Sequence, residues 1–405
     1  MDNRSYSLIN QILASGFSFL MIIISARLLT NADFGFISML IIVSMLISIV
    51  PQSFITMPIM SNSSKEPDIS KYFFHNLILL VIFLVIFLVI FLVVYINNFF
   101  NLQQYLSLWS VAIYFFGLQV YEFIKRIMFV NNYHGKATYA EIIKLVLACC
   151  IVYWLLDDNK TLNIDQILLS MAIGYLSFFL VSVKNITALN IDLSYLKKIK
   201  KDNYVFGKWV FLSNTLQNIN SNFYLFISAM LLPLSAIGAL NSAKTLIGLA
   251  TVVFLALDNY LIPKYAKRYM DYGREAIERE ILPVFIRIGS ILIFMYSLVA
   301  FFPNELMGFI FGENFAQYGY FLYYFLISSL LMFCTRPILI LAKTIGETKV
   351  MYQAALPTLL FVLIVSYGVI NFYGVDGALS IMLLAQLIYL ASLIYFYKGV
   401  RYANS

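Results

Sequence analysis

Lys244 stands in the middle of an apolar stretch, where a cation is costly unless a partner or water meets it. The apolar stretch before it is crowded with hydrogen-bonding side chains: Ser213-Asn214-Thr215, Gln217-Asn218 and Asn220-Ser221-Asn222. Asn214, Gln217, Asn218 and Ser221 follow i, i+3, i+4, i+7 spacing, so they share one helical face. Two chemistries fit such a face. It can glue helices together, at about 0.6–2 kcal/mol per contact, or it can line a wet cavity. The density of amides beside a buried lysine favours the cavity.

Asn241, Lys244, Thr245, Gly248, Thr251 and Asp258 punctuate the second of these stretches. Steps of four and three place Lys244, Gly248, Thr251 and Asp258 near one face, with Lys244 and Asp258 about 21 Å apart along the axis. Lys244 is too deep for easy snorkelling. It is expected to face a substrate path or to pair with an acid from another span. Glu122, Lys125 and Arg126 close one apolar stretch, Lys144 and Arg287 open others, and Arg336 stands near the end of another. Each can snorkel to an interface; together they can ring a vestibule with positive charge. Arg27 stands at the opposite mouth. A cationic path from such a vestibule past Lys244 to Arg27 suits an anionic substrate. Glu122 or Asp258 could titrate or bind a coupling ion, and proton, sodium ion and membrane potential all stay open as driving forces.

Bond-making chemistry has no counterpart in the sequence. Gly-x-Ser-x-Gly, Walker and His-Glu-x-x-His patterns are absent. Asp157-Asp158 reads as an interfacial turn, and Cys149, Cys150 and Cys334 read as small apolar residues inside spans. His75 and His134 are far apart, which disfavours a metal site. The chain is expected not to be an enzyme, to need no cofactor and to bind no nucleic acid.

The elements that must position these groups are membrane-spanning helices. Hydrophobic residues make up 62% of the 405 and charged residues 12%, against about 45–50% and 25% in soluble domains. The run LILLVIFLVIFLVVYI, inside 76–96, carries no charge, and about 20 such residues cross the hydrocarbon core as a helix. Spans are expected at about 7–26, 34–59, 72–96, 103–124, 139–156, 164–184, 208–232, 236–262, 283–303, 315–342, 352–371 and 376–397. With both termini cytoplasmic, all of the 27 basic residues except Arg27, Lys160 and Lys244 fall in or beside inside segments. That bias predicts the orientation. External loops are short, the longest near 304–314. The run Lys197-Lys198-Ile199-Lys200-Lys201 reads as a topogenic anchor touching anionic lipid, or as a docking site for a partner or a pyrophosphate headgroup.

An internal repeat supports two halves. Ile24-Ser25-Ala26-Arg27-Leu28-Leu29-Thr30-Asn31-Ala32-Asp33-Phe34-Gly35 recurs as Ile227-Ser228-Ala229-Met230-Leu231-Leu232-Pro233-Leu234-Ser235-Ala236-Ile237-Gly238, six of twelve positions matching at an offset of 203. Each copy ends a span, turns and starts the next. The same offset maps the polar face of 214–221 onto Gln11, Ala14, Ser15 and Ser18. Arg126 before Gly135 and Arg336 before Gly346 form a weaker echo. The expected architecture is all-α, about twelve transmembrane helices in two six-helix halves around a central cavity. The halves are 1–184 and 208–405, joined by a basic linker at 185–207 and related by a pseudo-two-fold along the membrane normal.

The stretch Ala26-Arg27-Leu28-Leu29-Thr30-Asn31-Ala32-Asp33-Phe34-Gly35, with a polar first span and twelve spans in two halves, resembles the Wzx-type polysaccharide flippases. These belong to the multidrug/oligosaccharidyl-lipid/polysaccharide exporter superfamily. The resemblance covers the whole chain in layout, and in motif mainly 20–60, with weaker echoes at 120–140 and 336–350. It implies that spans one, two, seven and eight border the cavity, and that alternating access carries an undecaprenyl-pyrophosphate-linked oligosaccharide across the bacterial inner membrane. Gln11, Ser15, Arg27, Asn214, Gln217, Asn218, Asn241 and Lys244 fall on those four spans. The chain lacks the additional spans and the cavity arginines of the lipid II flippases. Membrane lipids and other polysaccharide-assembly proteins are the further expected partners. An antiporter for drugs or metabolites is the alternative in the same superfamily. An O-antigen polymerase or ligase would need a large external loop, and a passive scaffold would leave the polar spans unexplained.

Overall fold

The computed structural model describes residues 3–63, 66–97, 107–156, 161–182, 191–347 and 349–403. Among them there are only helices and their connections, as hydrocarbon requires of a backbone that must satisfy its own hydrogen bonds. In chain order these are α1 (Asn3–Leu28), α2 (Asn31–Pro51), a π-helical turn (Gln52–Thr56), α3 (Met57–Asn62), α4 (Ile69–Ile96), α5 (Leu108–Val130), α6 (His134–Leu155) and α7 (Ile164–Ser182). Then come α8 (Leu193–Leu231), α9 (Leu234–Phe301), α10 (Pro303–Phe311), a 3-10 turn (Glu313–Tyr318), α11 (Phe321–Ile345) and α12 (Lys349–Ala403). The chain forms two compact units, Met1–Thr215 and Leu216–Ser405, divided within α8. Asp157-Asp158, Lys65, Lys160, Lys184 and the first part of the expected linker lie outside the described residues.

Both repeat copies become helix–turn–helix corners. In the first, Thr30 Oγ1 accepts from the Asp33 amide at 3.2 Å and caps α2. In the second, Pro233, with φ held at −58°, precedes the first turn of α9. Asp68 and Ser107 cap α4 and α5 in the same way as Thr30.

Nine helical stretches among the described residues are long and apolar enough to cross a membrane. The expected count of twelve is not reached by this measure, because α5, with Glu122, Lys125 and Arg126, and α8, with its lysines and amides, fall outside it, and α12 counts as one stretch, Lys349–Gly399, where two spans were expected. Two expected loops are also absent. Gly273 (φ +74°) bends α9 and Gly374 (φ +60°) bends α12, so the chain reverses at one left-handed glycine where a connecting loop was expected. The stretch expected as the longest external loop is instead α10 and the 3-10 turn. The run Lys197–Lys201 is helical, within the start of α8. Along α4, Val81, Ile82, Val85, Ile86, Val89, Ile90 and Val93 are all exposed, an apolar face that only lipid solvates well. The protein is a multi-pass membrane protein.

In the first unit the start of α8 is pinned to α4. Lys71 Nζ donates to Asp192 Oδ2 at 2.9 Å, Tyr195 and Lys198 reach Glu66, and Asn203 donates to Asn76 Oδ1 at 2.8 Å. Hydrogen bonds from Ser194, then from Lys71 and the Tyr195 amide, hold the Asp192 carboxyl below the usual carboxylate range. Farther along α8, a Cβ on Gly207 would sit 2.6 Å from Phe54 Cδ1 and 2.7 Å from the Ser53 carbonyl of the π-helical turn. That turn lies between Pro51 and Pro58, which cannot supply helical amide donors.

Two outcomes follow. Gly207→Ala should destabilise the protein by about 1–3 kcal/mol through overpacking. Gly248→Ala, where nothing lies within 4 Å, should be neutral or stabilising by up to about 1 kcal/mol. Thermal unfolding in detergent checks both. Because the Asp192 carboxyl is depressed in the folded state, its clasp is complete above the ordinary carboxylate range and is lost only as pH falls through the lowered value. At pH 7, Asp192→Asn should therefore speed amide exchange at Ser194 and Tyr195, while the native chain stays protected down to about pH 4.

Candidate functional site

Three polar constellations stand inside the helical units. In the second unit, Lys244 sits about 15 Å along α9 from its start at Leu234. Lys244 Nζ donates to Asn222 Oδ1 at 2.5 Å, and Asn222 Nδ2 donates to Asn218 Oδ1 at 3.4 Å. The cation thus closes a chain of two carboxamides from α8. Asn241, buried one turn before Lys244 on α9, adds a third amide on the same helix. Among the described residues Lys244 has an amide where the sequence offered an acid as its alternative partner. Asn222 was visible in the sequence only as one more polar residue of the α8 run.

Asp258, on the same helix, engages elsewhere. Its Oδ2 accepts from Arg336 Nη1 at 3.2 Å and Lys343 Nζ at 3.0 Å, both from α11. Among the described residues, Oδ1 of Asp258 and Nε of Arg336 are buried without a hydrogen-bond partner. The Arg336 guanidinium stacks 5.4 Å over the Phe254 ring.

The third constellation, in the first unit, was not anticipated. Lys125 Nζ lies 2.8 Å from Glu141 Oε1, Lys144 Nζ lies 2.5 Å from Glu141 Oε2, and Tyr121 donates to the same carboxylate at 2.8 Å. The Lys144 ammonium stands 4.4 Å from the Phe17 ring and 4.3 Å from the Tyr121 ring. Side-chain exposure is 10% for Lys125, 1% for Lys144 and zero for Glu141, so neither lysine snorkels to an interface as the sequence suggested. The available signal was spacing: Glu141 and Lys144 at i, i+3, and Tyr121 and Lys125 at i, i+4.

The remaining expected residues are placed as follows in their own helices. Arg126 lies 3.8 Å from Glu122 one turn before it and donates to Met60 Sδ at 3.3 Å. Gln11 is exposed on α1, Ser15 is half-buried one turn later, and Arg27 is exposed in the last turn of α1. Asn214 is half-buried on α8; the Gln217 side chain lies outside the described residues. Part of the polar stretch is glue after all, since Asn220 Nδ2 donates to the Ala355 carbonyl of α12 at 3.3 Å.

Removing the carboxylate from the sealed group should leave two buried cations facing each other. Glu141→Gln should therefore cost about 3–5 kcal/mol, read as a lowered thermal midpoint and poor yield in detergent. Lys144→Met, which leaves the Lys125–Glu141 pair intact, should cost less than Glu141→Gln in the same assay.

Comparison with known proteins places this architecture. Residues 24–319 match the family model described as polysaccharide biosynthesis protein. Among solved structures, the chain is similar to the lipid II flippase MurJ in an inward closed conformation, with TM-score 0.71 and 14% identity, covering 96% of this chain and 86% of that one. A multidrug resistance MATE family transporter of the MOP superfamily, inward-facing, follows at 0.63 and 14% identity, covering 99% and 94%. The Vibrio cholerae MATE transporter VcmN in the bent form gives 0.58 and 13%, covering 97% and 94%. No curated protein matches the sequence. At these identities the structures show a shared fold. With the family model spanning most of its length, the chain belongs to the polysaccharide biosynthesis protein family.

Proposed function

We propose that this protein is a flippase that moves an undecaprenyl-pyrophosphate-linked oligosaccharide, an O-antigen or similar repeat unit, from the inner to the outer leaflet of the bacterial inner membrane. Membership of a polysaccharide biosynthesis family supports the substrate class. The observation that carries the reading is Lys244, held deep in α9 by the Asn222–Asn218 amides. An ammonium whose resident partners are neutral dipoles is ready for an anion: it can trade an amide oxygen for a phosphate oxygen and gain a charge-assisted bond. The amides, which both donate and accept, suit sugar hydroxyls. Apolar helix faces such as that of α4 suit a polyprenyl chain. Alternating access, with both termini cytoplasmic, would carry the headgroup across, and Arg27 would meet it at the outer mouth. Lipids of the membrane and other polysaccharide-assembly proteins are the partners of this reading.

Purified protein in proteoliposomes, loaded with a lipid-linked pyrophosphoryl oligosaccharide, tests it through enzyme accessibility of the headgroup in the opposite leaflet. The native chain should move the lipid. Lys244→Ala should slow movement about 10–100-fold, the equivalent of one charge-assisted hydrogen bond, and Lys244→Arg should restore part of it. Movement unaffected by Lys244→Ala would remove Lys244 from the path. Absence of movement with several oligosaccharides under an imposed potential, together with efflux of small cationic compounds, would replace the flippase by an antiporter.

A further inference from the structure

In each unit a buried carboxylate is shared by two cations, but the two groups differ in how the carboxylate oxygens are used. Around Glu141 both lysines lie within 2.8 Å, a tyrosine hydroxyl adds a third bond, and aromatic rings cover Lys144. Each carboxylate oxygen there has its own lysine, Oε2 through the Lys144 ion pair alone. Around Asp258 the two cations share one oxygen at 3.0 and 3.2 Å, while the other oxygen and the Arg336 Nε are buried without hydrogen-bond partners among the described residues. The guanidinium touches the carboxylate through one nitrogen, so the two-pronged geometry that makes arginine–oxyanion pairs strong is unused. The side chain of Lys343 is 33% exposed and that of Arg336 is 15% exposed, so these cations are less enclosed than Lys144, which is 1% exposed. Because both nitrogens converge on one atom, they lie within about 6 Å of each other, close enough to engage one compact dianion. Two positive charges against one negative leave an excess that a poorly solvated site favours neutralising. The Phe254 ring, 5.4 Å from the guanidinium carbon, meets the cation without consuming its donors.

We propose that Arg336 and Lys343 form a diphosphate site in the second unit, with Asp258 as a resident counter-ion that the incoming diphosphate displaces. The inference rests on the flippase reading and adds to it a second headgroup station, separate from Lys244. It has a directional consequence. If Asp258 competes with the ligand, removing its charge strengthens binding, whereas removing either cation weakens it.

The test measures binding of farnesyl diphosphate, farnesyl monophosphate and inorganic pyrophosphate to the full chain in phosphatidylcholine nanodiscs, by equilibrium dialysis at fixed salt. Farnesyl diphosphate should bind most tightly. Asp258→Asn should tighten it about tenfold, and Arg336→Gln and Lys343→Gln should each weaken it at least about tenfold, with an additive or larger loss in the double variant. Arg336→Gln leaves Lys343 balanced against Asp258, and its unchanged thermal midpoint shows that lost binding is not lost folding. Weaker or unchanged binding in Asp258→Asn, or native binding in the double variant, overturns the proposal. Inorganic pyrophosphate binding as tightly as the farnesyl compound would assign the site to a soluble anion and overturn the lipid-borne assignment. Oligosaccharide movement that persists in the double variant with native binding would sink this site while leaving the flippase standing; no movement by the native chain would sink the flippase itself.

Discussion

A charge carried into hydrocarbon must be met there, and this requirement shapes the polar interior of both units. Helices already satisfy their own backbone, so the helical fold costs no exposed amides. What remains is side-chain charge. Among the described residues it is answered in three ways: a carboxylate shared by two lysines under an aromatic cover at Glu141, a carboxylate shared by two cations through one oxygen at Asp258, and neutral amides at Lys244. Each answer fixes helix pairs. Glu141 ties α6 to α5, Asp258 ties α9 to α11, and Asn222 ties α8 to α9.

Around these ties the apolar packing does the bulk of the work. Phe254, Leu261, Tyr265, Ile277, Phe285 and Phe333 form one continuous buried cluster in the second unit, with α12 contributing Val350 and Leu393. Bends at single glycines let α9 and α12 return along this core without a loop. Beyond the left-handed Gly273, Arg274 donates to Glu278 and Tyr397 reaches the same carboxylate, so charge again ties helix to helix near the reversal.

The parts of this structure that were legible in the sequence are those written in a single segment. Polar residues in an apolar run announce themselves, so Lys244 and the α8 amides could be singled out from spacing alone, and both repeat copies could be placed at helix corners. Groups assembled from distant segments were not legible. Asp258 and its partners are 78 and 85 residues apart, and no periodicity links them. Lys125 and Lys144 sat near expected span ends, where snorkelling is the ordinary outcome; only the fold shows Glu141 drawing both inward. Gly273 and Gly374 looked like loop residues because a left-handed glycine and a loop leave the same mark in a sequence.

The three devices also differ in what they can give up. An aromatic cover with a doubly paired carboxylate holds its lysines whatever passes by, since releasing either cation would strand the other charges out of water. Amide oxygens hold a lysine by dipoles alone, and a phosphate oxygen can take their place at a gain. A carboxylate bound through one oxygen lies between these extremes: displaceable, yet charged enough to neutralise the site when it is empty. On the flippase reading, an anionic headgroup must be taken in and then let go, which needs cations of the second and third kinds. A cation held too well never binds, and one left bare never releases. The second unit has both kinds on one helix, at Lys244 and opposite Asp258, about 21 Å apart along α9.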